Sequence, residues 1–304
     1  MEHHMHFCRK KFTTRAHTFP AALACAAALA SGLAPSAQAD TNKLLLTGGV
    51  SSVDGAAGGG ITPWAVIGTN ATGSEWGASA FATRVSTQDY SLNVLGAALA
   101  WNERVELSYA QQAFNTRQIG AALGLGAGFT FRQDIAGIKV RLLGDAVLDS
   151  DTLMPQISVG ALHKRNNQEA VVKLVGAKSA SGTDLYLSAT KLLLAQGVLL
   201  NGTLRATKAN QNGLLGFGGD KNDSYRLQPE LSAALLLRRD LAVGIEWRKK
   251  PSNLGFAREQ NWSDVFVAWA PSKHANITLA YAQLGDIATI KNQRGWYLSV
   301  QAAF

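Results

Sequence analysis

Few residues of this chain have the type and spacing that catalysis requires. A Ser/His hydrolase needs a histidine beside a serine, with an acidic or amide side chain to orient the ring. Beyond the first 39 residues the sequence holds only His163 and His274. The strand pattern described below places them at opposite ends of the fold, so only His163 could serve as a base. Lys164 and Arg165 beside it disfavour a protonated ring, and an exposed, non-catalytic histidine is the favoured interpretation.

The sequence also gives no clear indication of a metal site or a phosphate-binding site. Both cysteines, Cys8 and Cys25, lie in the leader described next, which removes thiolate ligands from the rest of the chain. Asp149-Ser150-Asp151 resembles half of a calcium loop, but the later ligands are absent. The glycine-rich runs 124–128 and 216–220 open no βαβ unit, and no Walker lysine follows them. We therefore predict no catalytic residue, no metal and no cofactor.

Residues 1–39 have the pattern of a secretory signal peptide. Basic residues between Arg9 and Arg15 precede a small-residue apolar stretch over 21–34, and Ala37-Gln38-Ala39 supplies an A-x-A cleavage pattern. We predict export with cleavage near Ala39. A lipid-modified start at Cys25 is a weaker alternative, because the apolar stretch continues well past it.

The composition excludes several classes of protein. Of the 304 residues, 47% are hydrophobic and only 16% are charged, which is atypical of a disordered chain. No apolar run reaches the roughly 18 residues that a spanning helix needs. The net charge is +8, yet no dense Lys/Arg run follows the leader, so nucleic acid is not a predicted partner. The basic charge more plausibly serves a lumen and a lipopolysaccharide surface.

Alternation of apolar and polar residues dominates from residue 74 to the end and predicts β-strands. In the stretch 241–248, for example, Leu, Val, Ile and Trp alternate with Ala, Gly, Glu and Arg. Most strands have about ten residues, the length that crosses the hydrocarbon layer at a tilt. The twelve predicted strands are 74–86, 89–101, 104–113, 133–147, 153–164, 183–194, 197–209, 224–238, 240–250, 260–270, 274–284 and 294–304.

Short and long connections alternate along the chain after the second strand. The long, polar or glycine-rich loops are predicted at 114–132, 165–182, 210–223, 249–260 and 285–293. An outer-membrane barrel has this asymmetry, with short periplasmic turns and longer external loops, whereas a soluble sandwich has no reason for it. We predict an all-β fold: a transmembrane antiparallel β-barrel of about twelve strands over 74–304, located in the bacterial outer membrane.

The aromatic residues at strand positions predicted to face outward form two belts, as expected where rings contact the lipid headgroups. Trp101, Trp269 and Phe304 are predicted at the inner interface, and the outer belt comprises Tyr225, Trp247, Tyr281 and Trp296. The alternating Trp296, Leu298, Val300 and Phe304 resemble the C-terminal signal of barrels inserted by the outer-membrane assembly machinery. The predicted partners are this machinery, outer-membrane lipid and lipopolysaccharide. The sequence makes no prediction of oligomeric state.

The inward phase of the strands is polar and charged. Two interpretations remain open: an ion-paired interior that stabilises a closed barrel, and a pore whose positive bias selects anions. We favour a narrow or gated channel for small hydrophilic, anionic-leaning solutes. The alternatives are a non-conducting structural or exopolysaccharide- or envelope-associated barrel and, least favoured, an outer-membrane lipid hydrolase. The candidate lumen-lining residues, six basic and four acidic, are Arg84, Glu106, Lys139, Arg141, Arg205, Arg226, Glu230, Glu246, Arg248 and Asp264.

Residues 40–73 form a glycine-rich segment ahead of the barrel. They are too apolar for a free tail and too rich in glycine for a strand pair. A segment inside the lumen, where close backbone approach favours glycine, fits best. A periplasmic lead-in, or one further strand at 64–68, is the alternative.

Several stretches resemble an uncharacterised bacterial family, the domain of unknown function numbered 3034. They are residues 43–50, 213–220, 253–259 and 293–299. The resemblance extends over essentially the whole predicted mature chain and implies a Gram-negative, outer-membrane-type protein. It implies no substrate, activity or binding residue.

Overall fold

The structure is a computed structural model that describes residues 43–70, 73, 75–147 and 152–304. Within these residues, twelve antiparallel strands form one closed barrel. Each strand pairs with its neighbours in sequence, and the last pairs with the first. The predicted fold class is confirmed. The predicted signal peptide and the Asp149-Ser150-Asp151 turn lie outside the described residues.

The elements follow one another in a simple order. A short hairpin precedes the barrel and consists of β1 (Val50–Ser51) and β2 (Ala57–Gly58). Two short helices, α1 (Ile119–Ala122) and α2 (Glu169–Leu174), and a 3-10 helix (Gln211–Gly213) lie in three of the long connections. The barrel strands are β3 (Trp76–Thr87), β4 (Ser91–Trp101), β5 (Val105–Asn115), β6 (Thr130–Leu143), β7 (Gln156–Asn166), β8 (Ser181–Leu193), β9 (Val198–Thr207), β10 (Arg226–Arg238), β11 (Leu241–Arg248), β12 (Trp262–Ser272), β13 (Ala275–Ile287) and β14 (Ile290–Ala303).

The outer face of the barrel is apolar, whereas its interior contains the buried polar and charged side chains beside clusters of apolar ones. On β5, Leu107 and Tyr109 are exposed on the outer face, whereas Glu106 and Ser108 are buried inside. Because successive side chains of a strand point to opposite faces, the same division recurs on every strand that alternates in this way. A continuous apolar outer surface is what a barrel presents to lipid. Among the described residues, no helix has the length and apolar character to cross a membrane.

Aromatic side chains stand at both ends of the outer face. At the inner end, where most of the short turns lie, the exposed Trp101 ring has its centroid 6.0 Å from that of Trp76, a second exposed tryptophan that was not among the predicted belt residues. Toward the other end, Tyr281 and Trp296 lie on paired strands with ring centroids 5.2 Å apart. Amphipathic rings at two levels match the headgroup regions of a bilayer.

The last hairpin differs from the prediction. β13 and β14 remain paired up to Ile287 and Ile290, so the connection has two residues and the long loop predicted at 285–293 is wrong. The register shifts at Gly285, whose φ of 66° is a left-handed conformation that glycine adopts without cost. The polar residues of 285–293 therefore lie in a hairpin that extends beyond the apolar part of the barrel wall.

Candidate functional site: the plugged lumen

Residues 50–69 lie inside the barrel, and we call them the plug. Every one of them is buried. β1 and β2 pair with each other as a separate two-stranded sheet, and neither joins the barrel sheet. Residues 64–68 form no strand, so the predicted alternative of a further strand there is wrong. The chain enters at the inner end, where Lys43 forms an ion pair of 3.4 Å with Glu103.

One carboxylate of the wall, Glu106, holds two separate parts of the plug. It accepts backbone N–H groups from Ala57 at 3.0 Å and Gly68 at 2.7 Å. The neighbouring Lys139 forms an ion pair of 3.2 Å with Glu106 and donates to the carbonyls of Ala57 and Val66, both at 2.9 Å. A buried charge pair is favourable only when its remaining hydrogen-bonding capacity is used, and here the plug backbone uses it.

A second wall carboxylate, Glu246, binds the middle of the plug. It accepts from the backbone N–H of Ile61 at 2.9 Å and from the hydroxyl of Thr62. The Thr62 and Ser232 hydroxyls lie 2.6 Å apart and complete this contact. A Cβ atom added at Gly59 would collide with the Glu246 carboxylate where it now lies, so glycine allows this close approach.

The plug contributes one acidic side chain, Asp54, to the centre of the lumen. Its carboxylate lies 3.2 Å from the Lys164 ammonium, 3.1 Å from the Arg248 guanidinium and 3.6 Å from that of Arg205. The Asn212 amide donates to it at 2.6 Å. Burial alone would raise the pKa of Asp54, but the three cations and this hydrogen bond outweigh burial and lower the pKa below its ordinary value.

Two wall acids complete the ion network, which we call the Asp54 cluster. Arg205 pairs with Glu230 at 2.6 Å and with Asp184 at 3.3 Å. Lys164 also reaches Asp184 at 3.1 Å, and Arg248 reaches Glu230 at 3.2 Å. The cluster therefore contains three cations and three carboxylates, and each side chain is at most 4% exposed. Its members are Asp54, Lys164, Asp184, Arg205, Glu230 and Arg248.

The 3-10 helix Gln211–Gly213 closes the lumen from the outer side. The amide oxygen of Asn212 accepts from Lys164 at 2.6 Å and from Arg248 at 2.8 Å. Gln211 and Asn212 have φ angles of 44° and 61°, a left-handed conformation that costs free energy in non-glycine residues. Contacts with the Asp54 cluster hold this turn in place.

A buried ion pair from the neighbouring loop supports the same turn. Glu259 accepts from the backbone N–H of Gln211 at 2.5 Å and pairs with Lys250 at 3.1 Å. Burial raises the pKa of Glu259 and lowers the pKa of Lys250, although each partner opposes the shift of the other. The outer seal thus depends on two loops that meet above the plug.

Most of the predicted lumen-lining residues do point inward. Arg141 lies at the inner rim, where it pairs with Glu103 at 3.6 Å and Asp145 at 3.1 Å, and Arg226 is exposed at the outer end of β10. The seven that are buried in the barrel are Glu106, Lys139, Arg205, Glu230, Glu246, Arg248 and Asp264.

Arg84 is not in the lumen. It is exposed on the outer face of β3, because Thr83 and Val85 occupy the inward positions on either side of it. A one-residue error in phase moves a side chain to the opposite face of a strand. Arg84 lies opposite Leu298 and Asn93 on the neighbouring strands and toward the outer end of β3, where a long cationic side chain can reach headgroups.

Two further charged side chains of the wall point into the lumen, Lys164 and Asp184, and neither was predicted. Both lie in the inward, polar phase of their strands, as Gln156 and Ser158 show for β7, so the signal was present. Lys191 is also buried, but it lies opposite the exposed Leu200 and therefore in the outward phase of β8. The predicted positive excess is absent from the buried, inward-facing wall residues that the structure describes. The bases are Lys139, Lys164, Arg205 and Arg248, and the acids are Glu106, Asp184, Glu230, Glu246 and Asp264.

Neither histidine of the barrel has the partners of a catalytic base. His163 is exposed on the outer face of β7, and its Nδ1 lies 3.0 Å from the Thr183 hydroxyl. His274 contacts the Ala303 carbonyl at 2.9 Å at the inner end. In the part of the chain that the structure describes, no three His, Cys, Asp or Glu side chains form a metal-binding group.

Comparison with known proteins decides the family. Residues 47–301 match the family described as protein of unknown function, DUF3034. The chain belongs to this family. The residues that suggested the resemblance lie within or beside the matched region. No curated protein matches the chain in sequence.

Solved structures of similar shape include both channels and an enzyme. The KdgM porin is 9% identical with a TM-score of 0.48 and aligns with 74% of this chain and 99% of its own. The COG4313 outer membrane channel from Pseudomonas putida F1 is 10% identical with a TM-score of 0.46, over 77% and 96% of the two chains. Outer membrane phospholipase A from Escherichia coli is 12% identical with a TM-score of 0.41, over 75% and 92%. Similarity at this level indicates no function.

Proposed function

We propose that the protein is a gated channel of the bacterial outer membrane and that the plug closes it in this structure. The observation that carries the proposal is the way in which the plug is held. It belongs to no barrel sheet, and its backbone is bound by side chains of the wall such as Glu106, Lys139 and Glu246. The plug shares no strand-pairing hydrogen bond with the barrel sheet, so it can leave a barrel whose sheet stays intact.

The outer membrane is the location that the surface supports. The outer face is apolar along the strands, and aromatic rings such as Trp101 and Trp296 stand at its two ends. Most of the short turns and the entry of the plug share one end, which would face the periplasm. The C-terminal residues Trp296, Leu298, Val300 and Phe304 remain a predicted assembly signal, and lipid, lipopolysaccharide and the assembly machinery remain predicted partners.

Within the Asp54 cluster, although not over the buried wall as a whole, departure of the plug leaves a positive excess that would favour small anionic solutes. With Asp54 in place the Asp54 cluster has equal numbers of positive and negative groups. Without it, Lys164, Arg205 and Arg248 face Asp184 and Glu230, which leaves one positive charge in a narrow and weakly screened passage. We propose that the open state favours small hydrophilic anions.

The experiment is planar-bilayer recording of the wild type and Lys139→Gln. We expect rare openings of the wild type and at least a hundredfold higher open probability for the variant. Lys139 donates to two plug carbonyls, each hydrogen bond from a charged group is worth about 1.5–3 kcal/mol, and about 1.4 kcal/mol corresponds to tenfold. Lys173→Gln, which removes an exposed pair with Glu169, is the control and should match the wild type.

A non-conducting structural barrel is the second candidate, and complete burial of the Asp54 cluster favours it. It predicts silence from both the wild type and Lys139→Gln, and that result would replace the channel proposal. We do not propose an enzyme. The ring of His163 contacts Thr183 in place of an acidic or amide side chain, and a lipid hydrolase that loses activity in His163→Ala would contradict this.

A further inference from the structure

An apolar cavity of about 220 Å³ lies at the outer mouth of the barrel, beyond the plug. Four connections contribute to it: Leu125 follows α1, Val171 lies on α2, Leu215 follows the 3-10 helix, and Phe256 lies in the loop after β11. Its deeper wall is formed by buried side chains, which include Tyr90, Phe114, Phe131, Leu214, Trp262 and Ile287.

Most polar groups in this wall have partners inside the protein, whereas the buried Nε1–H of Trp262 has none among the described residues. The Thr116 hydroxyl donates to the Phe129 carbonyl at 2.9 Å, and the Thr87 hydroxyl donates to Gln293 at 2.8 Å. The Gln211 side chain donates from its amide at 3.0 Å and accepts at its oxygen at 3.1 Å. A buried water needs two to four polar partners, and this single free donor supplies too few, so the cavity favours a largely apolar occupant.

The position of the cavity shows whether a ligand would enter it from the lipid or from the aqueous side. Phe114 and Phe131 are inward-facing residues of adjacent strands, so the barrel wall separates the cavity from lipid. At its rim Leu174 is 85% exposed and Phe256 is 40% exposed. Large apolar side chains that stay exposed at the rim of a pocket are typical of a ligand entrance. Entry is therefore from the outer aqueous side.

The volume sets the size of the occupant. An apolar cavity of about 150 Å³ stays dry and holds one benzene molecule. We infer that the outer cavity binds a small uncharged hydrocarbon, or the hydrocarbon part of a small molecule, of about one to two aromatic rings. No charged side chain lines it, which excludes recognition of an ionic group there. This binding does not depend on whether the barrel conducts.

The test uses a cysteine inside the cavity. Leu215→Cys, in a full-length chain with Cys8 and Cys25 replaced by serine, is reconstituted in phospholipid bilayers and treated with a water-soluble methanethiosulfonate reagent. Saturating naphthalene should slow the modification of Cys at position 215 at least fivefold, and sodium benzoate should not. Lys221→Cys is the control on an exposed part of the same connection, and naphthalene should leave its rate unchanged. Retained heat-modifiable mobility on gels shows that each variant is folded.

A cavity-filling variant completes the design. Adding Val171→Trp to Leu215→Cys should abolish the protection by naphthalene, because the indole occupies the same volume. Equal rates with and without naphthalene, or no reaction of the cysteine at all, would overturn the inference. Protection that appears in phospholipid without naphthalene and disappears in a fluorinated surfactant would identify the occupant as a lipid acyl chain and would also overturn it.

Discussion

Asp54→Asn is expected to release the plug from the barrel. The substitution keeps the shape of the side chain but leaves Lys164, Arg205 and Arg248 buried with one counter-charge fewer. Removing one partner of a buried ion pair costs about 3–5 kcal/mol, which corresponds to at least a hundredfold shift in an equilibrium. The readout is alkylation of Ser52→Cys, a plug position that is 1% exposed in the closed barrel. Its rate should rise at least a hundredfold.

Asp223→Asn is the matched control for this prediction. Asp223 pairs with Lys208 at 2.8 Å, but its side chain is 50% exposed. Surface pairs contribute about 0–1 kcal/mol, so the alkylation rate of Ser52→Cys should stay near that of the parent. Equal rates for Asp54→Asn and Asp223→Asn would show that Asp54 does not hold the plug.

Because Asp54 stays ionised in mild acid, the plug should remain bound in the lumen under those conditions. Because the pKa of Asp54 is lowered in the folded protein, its stabilising contribution is fully present above the ordinary carboxyl pKa of about 4. That contribution is lost only as the pH falls from there toward the lowered pKa. Alkylation of Ser52→Cys should therefore be equally slow from pH 8 to pH 5, once the intrinsic pH dependence of the thiol has been subtracted.

Deletion of residues 50–69 should convert rare openings into a continuously open pore. The plug supplies the backbone groups that Glu106 and Glu246 bind, and it also supplies Asp54, to which Asn212 of the outer turn donates, so its removal loosens the outer seal as well. Conductance per inserted barrel should rise well above that of the wild type, with a reversal potential shifted toward anions. Heat-modifiable mobility on gels checks that the shortened chain has folded.

Gly59→Val gives the same test without a deletion. An added Cβ atom at this position collides with the Glu246 carboxylate, which must then move away from the Ile61 N–H and the Thr62 hydroxyl, so the plug is present but held by fewer hydrogen bonds. Its conductance should approach that of the deletion. If both variants fold and stay silent, the wall itself is closed and the protein is a structural barrel.

The barrel could be predicted from the sequence because its signal is local. In β11, the outward Val243 and Ile245 alternate with the inward Glu246 and Arg248, and the apolar face is required by the surroundings of the barrel. The same reasoning failed at Arg84. Small residues occupy both faces of β3, so alternation does not tell the faces apart, and the charge of Arg84 suggested the inward face although the side chain lies on the outer one. Seven of the ten predicted lumen residues are buried in the barrel, so alternation alone assigned most inward-facing charged residues correctly.

The plug and the outer cavity could not be predicted in detail, since neither has a period. Asp54 lies in a glycine-rich turn and Asn212 in a left-handed turn, and they meet across 158 positions of the chain. Only closure of the barrel brings them together with Lys164 and Arg248. The cavity is likewise lined by single apolar residues from several connections, and the sequence of each connection is that of an ordinary loop.

Tethering the plug tests the central claim most directly. The Thr62 and Ser232 hydroxyls lie 2.6 Å apart across the plug and the wall, so cysteines at both positions place two sulfur atoms near bonding distance. The recording uses Lys139→Gln as the parent, with Cys8 and Cys25 replaced. Cysteines at Thr83 and Ser299, whose hydroxyls are 2.7 Å apart, cross-link two wall strands and are the control. We predict that oxidation abolishes conductance only in the Thr62/Ser232 pair and that a reductant restores it. Unchanged conductance through the oxidised Thr62/Ser232 barrel would contradict gating by the plug.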